Sequence, residues 1–178
     1  SISEKRNYLA YKATSEYIVH MDDDDYYYPE SVMARIKLLL KYKSEGIRCV
    51  GCTEIGIYHL LDNYSYLMSM GSYVSEASMA YHRSFWEERP FPSDKEMSKM
   101  KSNTGEGALF LDKRLHEVID MPFIFNFIAI THKKNVTGRL RTYNLDREAK
   151  LNGTNFFNLW DIDTQLFFIK ISRLCRKQ

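Results

Sequence analysis

The run Glu16-Tyr17-Ile18-Val19-His20-Met21 leads without a break into Asp22-Asp23-Asp24-Asp25, and this junction constrains the fold more than any other feature. The first part is apolar enough for a strand buried on both faces. The second concentrates four carboxylates, which repel one another unless cations or solvent relieve them. A solvated turn is normally padded with Gly, Ser or Asn, whereas here the acids follow the strand directly. Hard cations such as Mg2+ and Mn2+ prefer carboxylate oxygens, and magnesium commonly shares the phosphates of a substrate. The junction therefore favours a metal–phosphate site over an exposed acidic turn. A calcium loop of the EF-hand kind is disfavoured, because its glycine and distal glutamate are missing at their spacings.

The flanking segments predict the setting. Ser3 to about Ala13 reads as a helix with Ser3 as N-cap and Leu9, Ala10 and Ala13 turned inward. A second helix opens near Pro29, with Val32, Met33, Ile36, Leu39 and Leu40 on one face, and Gly46 closes it. Ile47 to Val50 then begins another strand. Helix, strand, acidic loop, helix, strand is the order of an α/β sheet with parallel strands, which binds ligands outside the carboxyl ends of those strands. Further on, Thr53 to His82 suggests antiparallel additions, and Glu87 to Asn103, with Pro90 and Pro92, a loop or broken helix. Ala108 to Ile119 is expected to be helical, Phe123 to Thr131 a strand, Lys133 to Gly153 basic and irregular, and Phe157 to Leu174 a closing helix.

Composition narrows the function classes. The 178 residues fit one domain, and 44% hydrophobic with 27% charged residues is the balance of a soluble globular chain. A net charge of +2 gives no field for nucleic acid. Arg173, Arg176 and Lys177 read as a solvated helix end rather than a membrane-surface tail. Cys49 and Cys52 have C-x-x-C spacing, but no second pair or nearby histidine completes a zinc site, which favours structural thiols in a reducing compartment. No stretch is long and apolar enough to span a bilayer, and the first residues lack the apolar core of a signal peptide. Three sequons, at Asn63, Asn135 and Asn152, matter only in a secretory lumen. The expected location is cytoplasmic, or peripheral to a membrane, with the oligomeric state open.

Lys5-Arg6-Asn7, then Ala13, then Tyr17 through Pro29 resembles the centre of a glycosyltransferase family 2-like domain of the GT-A fold, a nucleotide-diphospho-sugar transferase. The shared pattern is an Arg-Asn on a helix, an apolar strand, an Asp-x-Asp-Asp motif and a proline before the next helix. The resemblance implies a Rossmann-like α/β domain with a mixed sheet flanked by helices. It also implies that Asp22 lies near the donor ribose and the metal, that Asp24 is the direct metal ligand, and that Asp25 supports them. Lys5 and Arg6 would lie near the donor's nucleotide or pyrophosphate. Ala77 to Trp86 is similar to the strand and turn beneath the acceptor site, where Trp86 would stack on a sugar; an aromatic core plug is the rival role. Asn103 to Phe110 is similar to the family's acidic motif at a helix start, usually Glu-Asp. Here Glu106 is followed by Gly107, so either Glu106 is the base or the base lies elsewhere, and Glu106 is the candidate. His132 matches a histidine that completes the metal site, and Arg139 and Arg141 in the following loop would reach donor phosphates.

The resemblance spans about Lys5 to Arg141, and the strand–helix–strand unit that normally opens such a domain would precede Ser1. Residues 1–178 are thus expected to be one partial, N-terminally truncated glycosyltransferase-like domain. The activity implied is transfer of a sugar from an NDP-sugar donor to the hydroxyl of a glycan or other acceptor, inverting and dependent on Mn2+ or Mg2+. A nucleotidyltransferase uses similar strand-end aspartates, and a degenerate, non-catalytic sugar- or protein-binding module is favoured by Gly107. A glycosidase does not suit four adjacent aspartates, since its two carboxylates flank a bond.

Overall fold

The computed structural model describes residues 1–99, 105–131 and 156–176, and these form a mixed α/β structure with two mixed sheets and flanking helices. The first helix, α1 (Ile2–Lys12), is capped by Ser1, two residues before the expected cap Ser3. Ser1 Oγ accepts the Glu4 N–H at 3.2 Å and the Glu4 side chain returns to the Ser1 backbone, a capping box that leaves Ser3 inside the helix and buried. Its inner row is Ser3, Arg6, Ala10 and Ala13, at helical spacing. A turn of about 100° per residue carries Leu9 off this row. Leu9 is accordingly 66% exposed, against the expectation that it packs inward.

Strand β1 (Tyr17–Val19) buries Ile18 and half-buries its neighbours. Helix α2 (Ser31–Lys41) follows the acidic loop, and here the expected apolar face is corrected. The buried row is Ser31, Arg35 and Leu39, while Val32, Met33 and Leu40 are exposed and Ile36 is half-buried. The reason is the Arg35 guanidinium, which is 0% exposed. It donates to the carbonyls of His20 at 2.8 Å and Met79 at 3.3 Å, and its Nε to that of Ser31 at 3.1 Å. Carbonyls at a strand end need donors, and this need overrides the hydrophobic pattern.

Strands β3 (Cys49–Gly51) and β6 (Ala80–His82) complete the inner part of the first sheet, whose order is β1-β6-β3-β7 with β7 at Val118–Asp120. The expectation of parallel neighbours is corrected here. β1 and β3 do point the same way, but β6 lies between them, antiparallel to both, with Ile18 opposite Tyr81 and Val50 opposite Ala80. Only β3 and β7 are parallel neighbours in this sheet. The helix expected from Ala108 to Ile119 breaks for the same reason: α5 (Glu106–Leu111) stops before Lys113, whose φ is 61°, and residues 118–120 pair with β3 instead.

The second sheet has order β2-β8-β4-β5, from β2 (Tyr26–Tyr27), β4 (Glu54–His59), β5 (Tyr64–Ser69) and β8 (Phe127–Thr131). The hairpin β4–β5 is the antiparallel addition expected after Thr53, and β8 runs parallel to β4. Two short helices, α3 (Arg83–Glu88) and α4 (Asp94–Met97), follow β6, and α6 (Ile162–Arg176) closes the described chain. Among the described residues no helix is long and apolar enough to cross a membrane.

One core lies between the second sheet and α6, with Phe127, Ile128, Trp160 and Phe168; the Trp160 and Phe168 rings stack at 4.5 Å. The other joins α1, β1, β6, α3 and α5 through Ala10, Ile18, Tyr81, Phe85 and Phe110. Phe110 stacks on Phe91 at 3.9 Å, and Phe91 in turn lies 5.6 Å from the ring of His20, so this packing holds α5 against the residue that follows β1. Burial of side chains this size is worth roughly 1.5–3 kcal/mol each.

Candidate functional site

The acidic loop begins where β1 runs out, and it is tied to both sheets. The Asp22 N–H donates to Tyr27 Oη at 2.8 Å, and that hydroxyl donates onward to the Ala77 carbonyl at 2.9 Å. Burial pushes the Tyr27 phenol well above its ordinary range, so it stays a donor. At the loop's far end Asp25 Oδ1 accepts the Ile130 N–H of β8 at 3.0 Å. Asp25 is therefore spent on anchoring the loop. Asp23 and Asp24 are exposed between these two anchors, and Asp22 is half-buried.

Arg6 connects this loop to the rest of the site. From the inner row of α1 its Nη1 donates to Asp22 Oδ1 at 3.4 Å, and its Nε donates to Glu106 Oε1 at 3.4 Å. The three side chains are 13%, 31% and 19% exposed. These are long, shared contacts rather than tight ion pairs, and their meaning is geometric. One guanidinium spans a strand-end aspartate and a helix-start glutamate from distant parts of the chain.

Beneath Arg6 lies His20, which is buried. Its Nδ1 is 2.9 Å from the Glu76 carbonyl and 3.1 Å from Arg6 Nη1, and its Nε2 is 2.9 Å from Tyr81 Oη. The shorter Nδ1 contact assigns the proton to that nitrogen, leaving Nε2 to accept from the Tyr81 hydroxyl. Burial, then the charges of Arg6 and Arg35, lowers its pKa to about 3, so the imidazole is neutral at physiological pH.

Glu76 comes from the turn before β6, and its side chain crosses to α5. Oε1 accepts the Gly107 N–H at 2.7 Å. A Cβ at position 107 would lie 2.4 Å from that oxygen and 2.6 Å from Cγ and Cδ, and one at position 105 would lie 3.0 Å from the oxygen. The glycines on either side of Glu106 thus leave the space that Glu76 fills. Burial, then repulsion from Glu106, raises the pKa of the Glu76 carboxyl.

Of the residues expected from sequence, Arg6, Asp22 and Glu106 are brought together. Lys5 is exposed on α1 one position before Arg6. Trp86 is half-buried against the second core, and its Nε1–H donates to Asn7 Oδ1 at 2.9 Å. Asn7 Oδ1 also accepts the Phe91 N–H and its Nδ2 donates to the Phe91 carbonyl, so the Arg-Asn pair divides its work between site and scaffold. His132, Arg139 and Arg141 lie outside the described residues. Among the described residues no group of three or more His, Cys, Asp or Glu side chains is placed to hold a metal ion. Asp22 and Asp24 are two carboxylates at one strand end, and a hard cation such as Mg2+ can be held by one or two carboxylates together with substrate phosphates. Cys49 and Cys52 are buried and free, with burial pushing their thiols up to about 12 and about 11.

Sequence reasoning missed His20, Tyr27 and Glu76. The glycines flanking Glu106 were the available signal for Glu76, since paired glycines often mark close approach of another group. A separate cleft, lined by Tyr17, Leu39, Lys43, Arg48, His82 and Glu117, opens at the start of β1, the opposite end from the aspartates.

Compared with known proteins, the chain matches no protein-family model, no curated protein and no solved structure.

Proposed function

We propose that this chain is a GT-A-like glycosyltransferase domain that moves a sugar from an NDP-sugar to an acceptor hydroxyl with inversion. The observation that supports the reading is the Arg6 bridge: Asp22 and Glu106, from two separate sequence motifs, converge on the guanidinium of Arg6, from a third. An α/β sheet puts its ligands outside the carboxyl ends of its strands, and this cluster sits at such an end.

In this reading Glu106 takes the proton of the acceptor hydroxyl as the acceptor oxygen attacks the anomeric carbon. The bond from that carbon to the diphosphate oxygen breaks, and its electron pair leaves with the NDP. Asp22 and Lys5 lie on the donor side, with Arg6 keeping the two halves in register. Metal dependence, with Asp22, Asp24 and His132 as the proposed ligands and Arg139 on the donor phosphates, belongs to the same proposal.

The test is product release from a panel of NDP-sugars, with and without manganese, on the intact protein. Release of NDP coupled to acceptor glycosylation supports the reading. In a parallel assay with an NTP and a sugar 1-phosphate, pyrophosphate release identifies a nucleotidyltransferase, and no turnover in either assay identifies a binding module. Glu106→Gln should lower transfer by about a hundred- to ten-thousand-fold while donor binding persists; normal turnover would refute its role as base.

A further inference from the structure

The family-like acidic motif has Glu106 followed by glycine, where a second acid is usual, and the fold shows what fills that place. The side chain of Glu76 enters from the turn before β6 and puts Oε1, Cδ and Cγ within 2.6 Å of where a residue-107 Cβ would stand. Oε1 is held there by the Gly107 N–H at 2.7 Å. We propose that Glu76 supplies the second carboxylate of the acceptor side, relocated from position 107 to another segment, and acts through Glu106 as a positioning residue for proton transfer. This rests on the glycosyltransferase reading and adds to it a residue that no motif points to.

Two observations argue for a functional carboxylate rather than a turn support. A turn support needs only an acceptor for the Gly107 N–H, which a neutral amide would provide without burying charge. Instead a carboxylate is placed where burial and a second carboxylate both oppose its ionisation. The groups acting on it are Glu106 with the Gly107 N–H from α5 and Arg6 from α1, while His20 after β1 bonds the Glu76 backbone carbonyl at 2.9 Å. Such an arrangement costs stability, which is the trade-off expected of an active site rather than of a turn support. Chemically, the proton leaves the acceptor oxygen as that oxygen bonds the anomeric carbon, and it is received by Glu106, whose helix start Glu76 holds through the Gly107 N–H. The departing NDP carries away the bonding electrons, so no further reactant is needed.

The experiment compares the intact wild-type protein, Glu76→Gln, Glu76→Ala and the double variant Glu76→Ala/Gly107→Asp, measuring transfer and thermal melting. Glu76→Gln keeps an oxygen for the Gly107 N–H, so a merely structural role predicts unchanged kcat. The proposal predicts a kcat at least about tenfold lower, a donor KM unchanged within a factor of about two, and a Tm equal to or above wild type. The double variant restores a carboxylate from the helix side, and its kcat should exceed that of Glu76→Ala by about tenfold or more. An active wild type with an equally active Glu76→Gln, or a double variant no better than Glu76→Ala, overturns the relocation and leaves the transferase reading standing. A wild type that transfers no sugar from any donor overturns both.

Discussion

Gly107→Ala sets two effects of opposite sign against each other, and the distances decide between them. Alanine favours a helix over glycine by about 1 kcal/mol in an interior position, and less in a first turn such as this. Against that gain, the new Cβ would stand 2.4 Å from Glu76 Oε1 and 2.6 Å from its Cγ and Cδ. The far end of a glutamate can swing away, so the collision itself is relieved cheaply. What cannot be kept is the 2.7 Å bond from the buried Gly107 N–H to the carboxylate. A hydrogen bond to a charged group contributes about 1.5–3 kcal/mol, so the loss wins and the net destabilisation is about 1–2 kcal/mol. For a domain of this size that is a fall in Tm of roughly 2–8 °C. In a Glu76→Ala background neither the collision nor the bond exists, and Gly107→Ala should stabilise by up to about 1 kcal/mol. Urea melts of the four proteins at pH 7 give the coupling directly, expected at about 1.5–3 kcal/mol. The coupling should shrink toward acid, because burial and Glu106 raise the Glu76 pKa and its carboxyl protonates early. An identical effect of Gly107→Ala in both backgrounds would show that Glu76 does not occupy this space, and the relocation argument would fail with it.

Asp25→Ala removes the acceptor of the Ile130 N–H and should destabilise by about 1–3 kcal/mol, read as a lower urea midpoint; an unchanged midpoint would show that the loop anchor is dispensable. His20 is neutral in the folded state because its pKa is depressed to about 3, whereas the unfolded chain binds a proton near pH 6.5. Stability from this group is therefore full above about pH 6.5 and lost as pH falls toward 3, by up to about 1.4 kcal/mol per pH unit, and His20→Gln should flatten that slope in pH-dependent melts. Native labelling with a thiol reagent at pH 7.5 should modify Cys175, which is half-buried, well before the buried Cys49 and Cys52, whose thiols burial holds protonated; early modification of either would refute the packing around β3.

The sequence by itself determined the order helix, strand, acidic loop, helix, strand, and with it the placement of four aspartates at a strand end. That much is local: a short apolar run, a proline near a helix start and a glycine at φ 81° (Gly46) act within a few residues of themselves. It also singled out Arg6, Asp22 and Glu106. What it did not carry was pairing. The three-residue strand β6 is too short to show a period, yet it separates β1 from β3 and reverses the expected neighbour relation. Val118 and Ile119 read as the end of a helix until β3 offers them a parallel edge. Arg35 breaks the apolar row of α2 because carbonyls at the end of β1 need a donor, a demand visible only once those strands are in place. The four aspartates likewise looked like one cluster in sequence. Folding turned Asp25 to β8, Asp22 to Arg6, and left Asp23 and Asp24 toward solvent. The carboxylate against Gly107 comes from Glu76, and only tertiary packing brings it there, because nothing local links a turn before β6 to two glycines at the start of α5.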